Sequence, residues 1–140
     1  MGYEIFKIIR MKYLKLYESN NFKILRDLTT HVYNFLNYFY NDLKIDNWND
    51  KYSKIDILQE TITQILISED EKIIRIYLKV DKDIIKILSK KFILEDEATF
   101  NSATLINVEI KNIKKFIFDL NSLTLSDDVK LYKDAKKFGL

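Results

Sequence analysis

A chain of 140 residues, 47% hydrophobic and 14% aromatic, has the length and composition of one folded domain with a sizeable core. Its charged residues, 31% of the total, nearly cancel to +2, which argues against a field strong enough to hold nucleic acid or an anionic membrane surface. With no cysteine, disulfides, thiolate metal sites and cysteine nucleophiles are excluded.

Proline is absent as well, and the only glycines are Gly2 and Gly139. Internal turns are therefore expected from Asn, Asp and Ser, at Ser19–Asn21, Asp46–Asp50, Ser68–Asp70, Glu95–Ser102 and Asn121–Ser122. No break is long enough for a linker, so residues 1–140 are expected to form a single domain. Arginine occurs only at Arg10, Arg26 and Arg75, and Ile, Lys, Asn, Tyr and Phe are abundant, a coding bias of AT-rich genomes. Met1–Glu4 opens no secretory signal, Phe6 stands where myristoylation wants Ser or Thr, and no run of about 18 apolar residues occurs. The expected location is the cytoplasm of a bacterial or infected host cell.

In chain order, Ile5, Phe6, Ile9, Tyr13, Leu16 and Tyr17 suggest a helix over residues 3 to 17. Leu25, Leu28, Val32, Leu36, Phe39 and Leu43 recur at helical spacing behind an Asn20-Asn21 cap, predicting a helix from Phe22 to Lys44. Ser53 and Asp56 resemble a capping box, and Ile55, Leu58, Ile62, Ile65 and Leu66 continue it as a helix, with a strand over Thr61–Ile67 as the alternative. The period then changes. Ile74, Ile76, Leu78 and Val80 alternate as a strand, Asp81 or Asp83 caps a short helix through Phe92, and Thr104–Ile110 alternates again. Asn112 is set to cap a helix carrying Ile113, Phe116, Ile117 and Leu120, and a last helix runs from Ser126 to the stop at Gly139. The expected fold is α+β and predominantly helical: a helical N-terminal half, with a small sheet in the C-terminal half. An all-α bundle is the alternative.

Glycine-cradled phosphate sites are excluded, because no glycine lies between Gly2 and Gly139. One histidine, His31, cannot build a histidine-rich zinc centre, and on the edge of the second helix's apolar stripe it reads as a boundary residue. Asp46–Asp50 misses the EF-hand pattern, having Trp48 third and no glycine sixth. No metal or other cofactor is expected. Two short patterns nevertheless carry resemblances. Glu109-Ile110-Lys111 at the end of a predicted strand, with Asp96 upstream, is similar to the Asp…Glu-x-Lys signature of the PD-(D/E)xK nucleases. That resemblance implies Asp96 and Glu109 as metal ligands and Lys111 as the catalytic lysine. Leu16-Tyr17-Glu18 resembles the prohead-protease site that ends the leader of some tailed-phage proteins.

Lysines cluster at Lys86, Lys90 and Lys91, at Lys111, Lys114 and Lys115, and at Lys133, Lys136 and Lys137. Converging, they would touch a phosphate backbone; as helix C-terminal residues they are simply complementary to the helix dipole. The stronger binding signal is aromatic. Tyr33 and Tyr40 fall seven residues apart beside the apolar stripe of the second helix, and Tyr38 points away from it. The sequence is thus expected to encode a non-enzymatic protein-binding module of the inhibitor, immunity, antitoxin-like or viral accessory kind. Tyr33, Tyr38 and Tyr40 are its binding residues, with Tyr33 and Tyr40 packed under a neighbouring helix as the alternative, and its partner is another protein, with a homodimer as a further arrangement.

Overall fold

The computed structural model describes residues 21–46, 49–97 and 103–137. The helix expected over residues 3 to 17, the Leu16–Glu18 tripeptide and Trp48 lie outside them. Helix α1 (residues 21–36) follows from its sequence directly. Leu25, Leu28, Val32 and Leu36 form one stripe and are at most 4% exposed, while Arg26, Asp27, Thr30 and Asn34 face water. The helix does not run on to Lys44. After Leu36 the backbone tightens, with the Tyr38 N–H donating to Phe35 C=O and the Phe39 N–H to Leu36 C=O. Asp42 then takes a left-handed φ of 62° and turns the chain into a sheet.

That sheet has six strands, β1 (Leu43–Asp46), β2 (Tyr52–Ile57), β3 (Glu60–Ile67), β4 (Ile73–Leu78), β5 (Glu95–Glu97) and β6 (Ala103–Glu109). Their order is β1-β2-β3-β4-β6-β5, and every neighbouring pair is antiparallel. Helix α2 (Lys82–Leu88) lies between β4 and β5, and a 3-10 turn (Ile110–Asn112) leads from β6 into α3 (Ile113–Thr124) and α4 (Asp127–Lys137).

The expectation of a predominantly helical chain with a small C-terminal sheet is therefore overturned, and so is the all-α bundle. Residues 43–67 form three strands where the end of one helix and most of a second were expected, and of the two readings offered for Thr61–Ile67 the strand holds, as β3. The physical cause lies at one turn. β2 and β3 are joined by the two residues Leu58 and Gln59, which carry none of the Asn-Gly or Asp-Gly chemistry that announces a hairpin. Leu58 occupies the left-handed region at φ 56° and is 82% exposed. Read without that turn, Ile55, Leu58, Ile62 and Ile65 mimic a helical stripe. Read with it, Ser53, Ile55 and Ile57 alternate with Tyr52, Lys54 and Asp56, and the helical spacing is a coincidence. A register shift beside Ile55 leaves both Ile62 and Thr63 buried.

All four described helices share a single hydrophobic core with the sheet. Across that face the register aligns Ile65 with Ile76 and Ile106, and Ile67 with Ile74 and Val108. Onto it α1 presses Leu25, Leu28, Phe35 and Leu36, α2 adds Ile84 and Leu88, α3 adds Phe116, Leu120 and Leu123, and α4 adds Val129. One polar tie lies inside this layer. The Thr29 hydroxyl is 2.6 Å from the Leu25 carbonyl and 2.7 Å from Ser53 Oγ, joining α1 to β2. Thr63 Oγ1, also buried, has no hydrogen-bond partner among the described residues. Among those residues, no helix is long and apolar enough to cross a membrane.

Candidate functional site

The three tyrosines singled out by the sequence have different fates. Tyr33 packs against the core, and its hydroxyl donates to the Leu43 carbonyl at 3.4 Å, spanning from α1 to β1. Tyr40 also packs against the core, where its hydroxyl accepts the Asp81 N–H at 3.1 Å. Burial holds that hydroxyl above the usual tyrosine range. The Tyr132 hydroxyl reaches Asp81 from α4 at 3.3 Å, and its ring meets Phe39 edge-on at 5.0 Å. Burial first, and then the Asp81 carboxylate, raise its pKa as well. Tyr40, Asp81 and Tyr132 therefore fasten the end of α1, the start of α2 and α4 together. Tyr33 and Tyr40 are fastenings of the fold.

Tyr38 is the exposed member, at 41%. It lines a cleft of about 610 Å³ at the junction of α1, α3 and α4, with His31, Asn34 and Asn37 from α1 and the turn after it, Asn121 and Thr124 from α3, and Lys133 from α4. Lys133 Nζ stands 5.2 Å from the centre of the Tyr38 ring, a cation–π contact that also holds the ring in place. Thr124 Oγ1 is committed to the Leu120 carbonyl at 3.1 Å. The lining contains no carboxylate, and its charge comes from Lys133. Three side-chain amides, each both donor and acceptor, can bond peptide groups or polar side chains, and Lys133 can receive a carboxylate. Such a surface is equipped for recognition of polar groups beside an aromatic anchor.

The residues that resembled a nuclease centre are not brought together. Asp96 sits opposite Thr104 in the β5–β6 ladder, whereas Glu109 lies five residues further along β6. Five residues of strand span about 16 Å, and an odd separation puts the two positions on opposite faces of the sheet. Glu109 and Lys111 instead pair with each other at 3.1 Å, both well exposed. Among the described residues, no group of three or more His, Asp or Glu could hold a metal ion.

Two of the lysine clusters meet, since Lys91 and Lys115 line one cleft beside β6 together with Glu109 and Asp119. Lys90 pairs with Asp128 at 2.6 Å and ties α2 to α4. Lys114 and Lys115 lie in the first turn of α3, not its last, so complementarity to the helix dipole does not explain them. Sequence reasoning missed Asn34 and Asn37 as binding residues, read Asn121 only as a turn and Lys133 only as one of a lysine cluster, because only the packing of three helices brings them to one place. It also left out Phe118 and Leu125, which are 70% and 85% exposed. A signal for both was present, since they stand opposite the Phe116 and Leu120 stripe of α3. Comparison of the chain with protein-family models, curated proteins and solved structures returns no significant match.

Proposed function

We propose that this chain is a protein-binding module of the inhibitor or accessory kind, which takes a polar segment of its partner in the cleft between α1, α3 and α4. The observation that carries this reading is the exposed Tyr38 ring, steadied by Lys133 and surrounded by Asn34, Asn37 and Asn121. Tyrosine contributes large contact area at low entropic cost, and asparagine supplies adaptable hydrogen bonds, the combination that recurs in protein-recognition surfaces. In this reading Tyr38 is the anchor, the amides bond the partner's backbone, and Lys133 meets an acidic side chain. The same proposal places the module in the cytoplasm of a bacterial or infected host cell.

The test is affinity purification of the tagged chain from its host, comparing wild type with Tyr38→Ala. The expected result is a stoichiometric protein partner that the variant loses, with the thermal midpoint of the variant close to wild type. Asn34→Ala together with Asn37→Ala is expected to weaken the same capture. Retention of the partner by both variants would sink the cleft. Copurifying nucleic acid with steeply salt-dependent affinity would replace the reading with a lysine-mediated one.

A further inference from the structure

The outward side of α3 carries a pattern that its own fold does not use. Lys114, Phe118 and Leu125 follow one another at helical spacing, opposite the buried Phe116, Leu120 and Leu123. A surface helix ordinarily presents polar residues there, yet Phe118 is 70% exposed and Leu125 is 85% exposed. Unlike charges bracket the two apolar residues. Lys114 and Lys115 lie a turn before Phe118, and Asp127 follows two residues after Leu125; all three are exposed. None of them has a salt-bridge partner among the described residues.

We infer that this stripe is a homodimer interface, in which two copies of the chain meet through antiparallel α3 helices about a two-fold axis at Asn121–Ser122. Phe118 and Leu125 stand equally far from that midpoint, so the symmetry sets Phe118 of each copy against Leu125 of the other. The Lys114–Lys115 end of each copy comes beside Asp127 of the second. The contact is isologous, each residue pair occurring twice. A parallel arrangement would place lysines against lysines and aspartate against aspartate. The order cation, apolar, apolar, anion is thus complementary to its own reverse, and that selects a second copy of this chain as the occupant. Asn121 stands both on the rim of the cleft and at the two-fold axis, whereas His31, Asn34, Asn37 and Tyr38 belong to α1 and the turn after it, so substitutions at Phe118 and Tyr38 test the dimer and the cleft separately.

Sedimentation equilibrium of the purified full chain, over a concentration series reaching the millimolar range, tests this. The wild type is expected to approach twice the mass of one chain. Phe118→Glu and Leu125→Glu are each expected to raise the dimer dissociation constant roughly thirtyfold or more. Lys114→Glu combined with Lys115→Glu, and separately Asp127→Lys, are each expected to give monomers. An equimolar mixture of those two variants is expected to dimerise again, because both symmetry-related contacts then join opposite charges. Circular dichroism melts establish that each variant is folded. A wild type that stays monomeric through the series overturns the inference, as does a dimer untouched by Phe118→Glu or a mixture that does not recover. Tyr38→Ala is expected to leave the dimer intact, so the interface and the cleft fail separately.

Discussion

Helices α1 and α3 cover the same sheet, and their inner faces are built alike. Leu25, Leu28, Val32 and Leu36 line one, Phe116, Leu120 and Leu123 line the other, and none is more than 7% exposed. Their outer faces differ. α1 shows Arg26, Asp27, Thr30 and Asn34 to water, whereas α3 shows Lys114, Lys115 and Phe118 and ends on exposed Leu125. Burial against the sheet explains the inner positions of α1, and its outer positions are polar, as an exposed helix face requires. On α3 it explains the inner half, and the outer half carries apolar area and helix-opposing charge that cost the monomer without packing it. In the proposed dimer, that residue choice finds its reason in the second copy of the chain.

The largest test of that contrast is a pair of truncations. Leu28→Ala, at a fully buried position of α1, is expected to cost about 2–5 kcal/mol in urea or thermal unfolding. Phe118→Ala, measured where the chain is monomeric, is expected to shift stability by less than about 0.5 kcal/mol. A cost for Phe118→Ala as large as that for Leu28→Ala would mean that α3 is covered within the monomer, and the contrast would collapse. A smaller effect probes the Thr29–Ser53 tie beneath α1. Ser53→Ala removes the partner of the Thr29 hydroxyl but leaves its bond to the Leu25 carbonyl, so a loss of about 1 kcal/mol is expected by equilibrium unfolding. No loss would show that apolar packing alone seats α1 on β2.

The smallest effect has the opposite sign. Lys114→Glu and Lys115→Glu place anions in the first turn of α3, where the helix dipole favours them, and each is expected to stabilise the monomer by roughly 0.3–1 kcal/mol. A melt that improves while the dimer is lost would separate the two demands on this helix in one molecule. A destabilised monomer would instead assign the lysines a role within the fold.

Much of the molecule was legible where one element could be read by itself. The stripe of α1, the alternation of β4 and β6, and the helices from Ile113 and Asp127 all appear where local pattern puts them. From Leu43 to Ile67 the β-branched residues of Thr61–Ile67 offered the strand as an alternative, but the hairpin that pairs it with β2 was not legible, because its decisive feature is the left-handed Leu58 in a two-residue turn. A chain with no internal glycine fills such positions with residues that give no turn signal, so the hairpin disappears into an accidental helical period. Of the candidate site, the exposure of Tyr38 was readable from its angle on the helix. Whether Tyr33 and Tyr40 pack against the fold was open in the sequence, since their contacts depend on Leu43 in β1 and Asp81 at the start of α2.

By itself the sequence determined the chemistry that is absent: no thiol, no glycine-cradled phosphate site and no histidine cluster, each of which requires residue types the chain lacks. It also determined the faces of the helices it announced, because a 3.6-residue period is a local property. Tertiary structure alone decided that residues 43–57 belong to a sheet, and it chose between helix and strand at Thr61–Ile67, since a strand is stabilised by the neighbours it pairs with rather than by its own residues. It alone parted Asp96 from Glu109, through a register that no local pattern encodes. It alone gathered Asn34, Asn37, Asn121 and Lys133 around Tyr38, because a cleft between helices is a property of how they pack and not of any one of them.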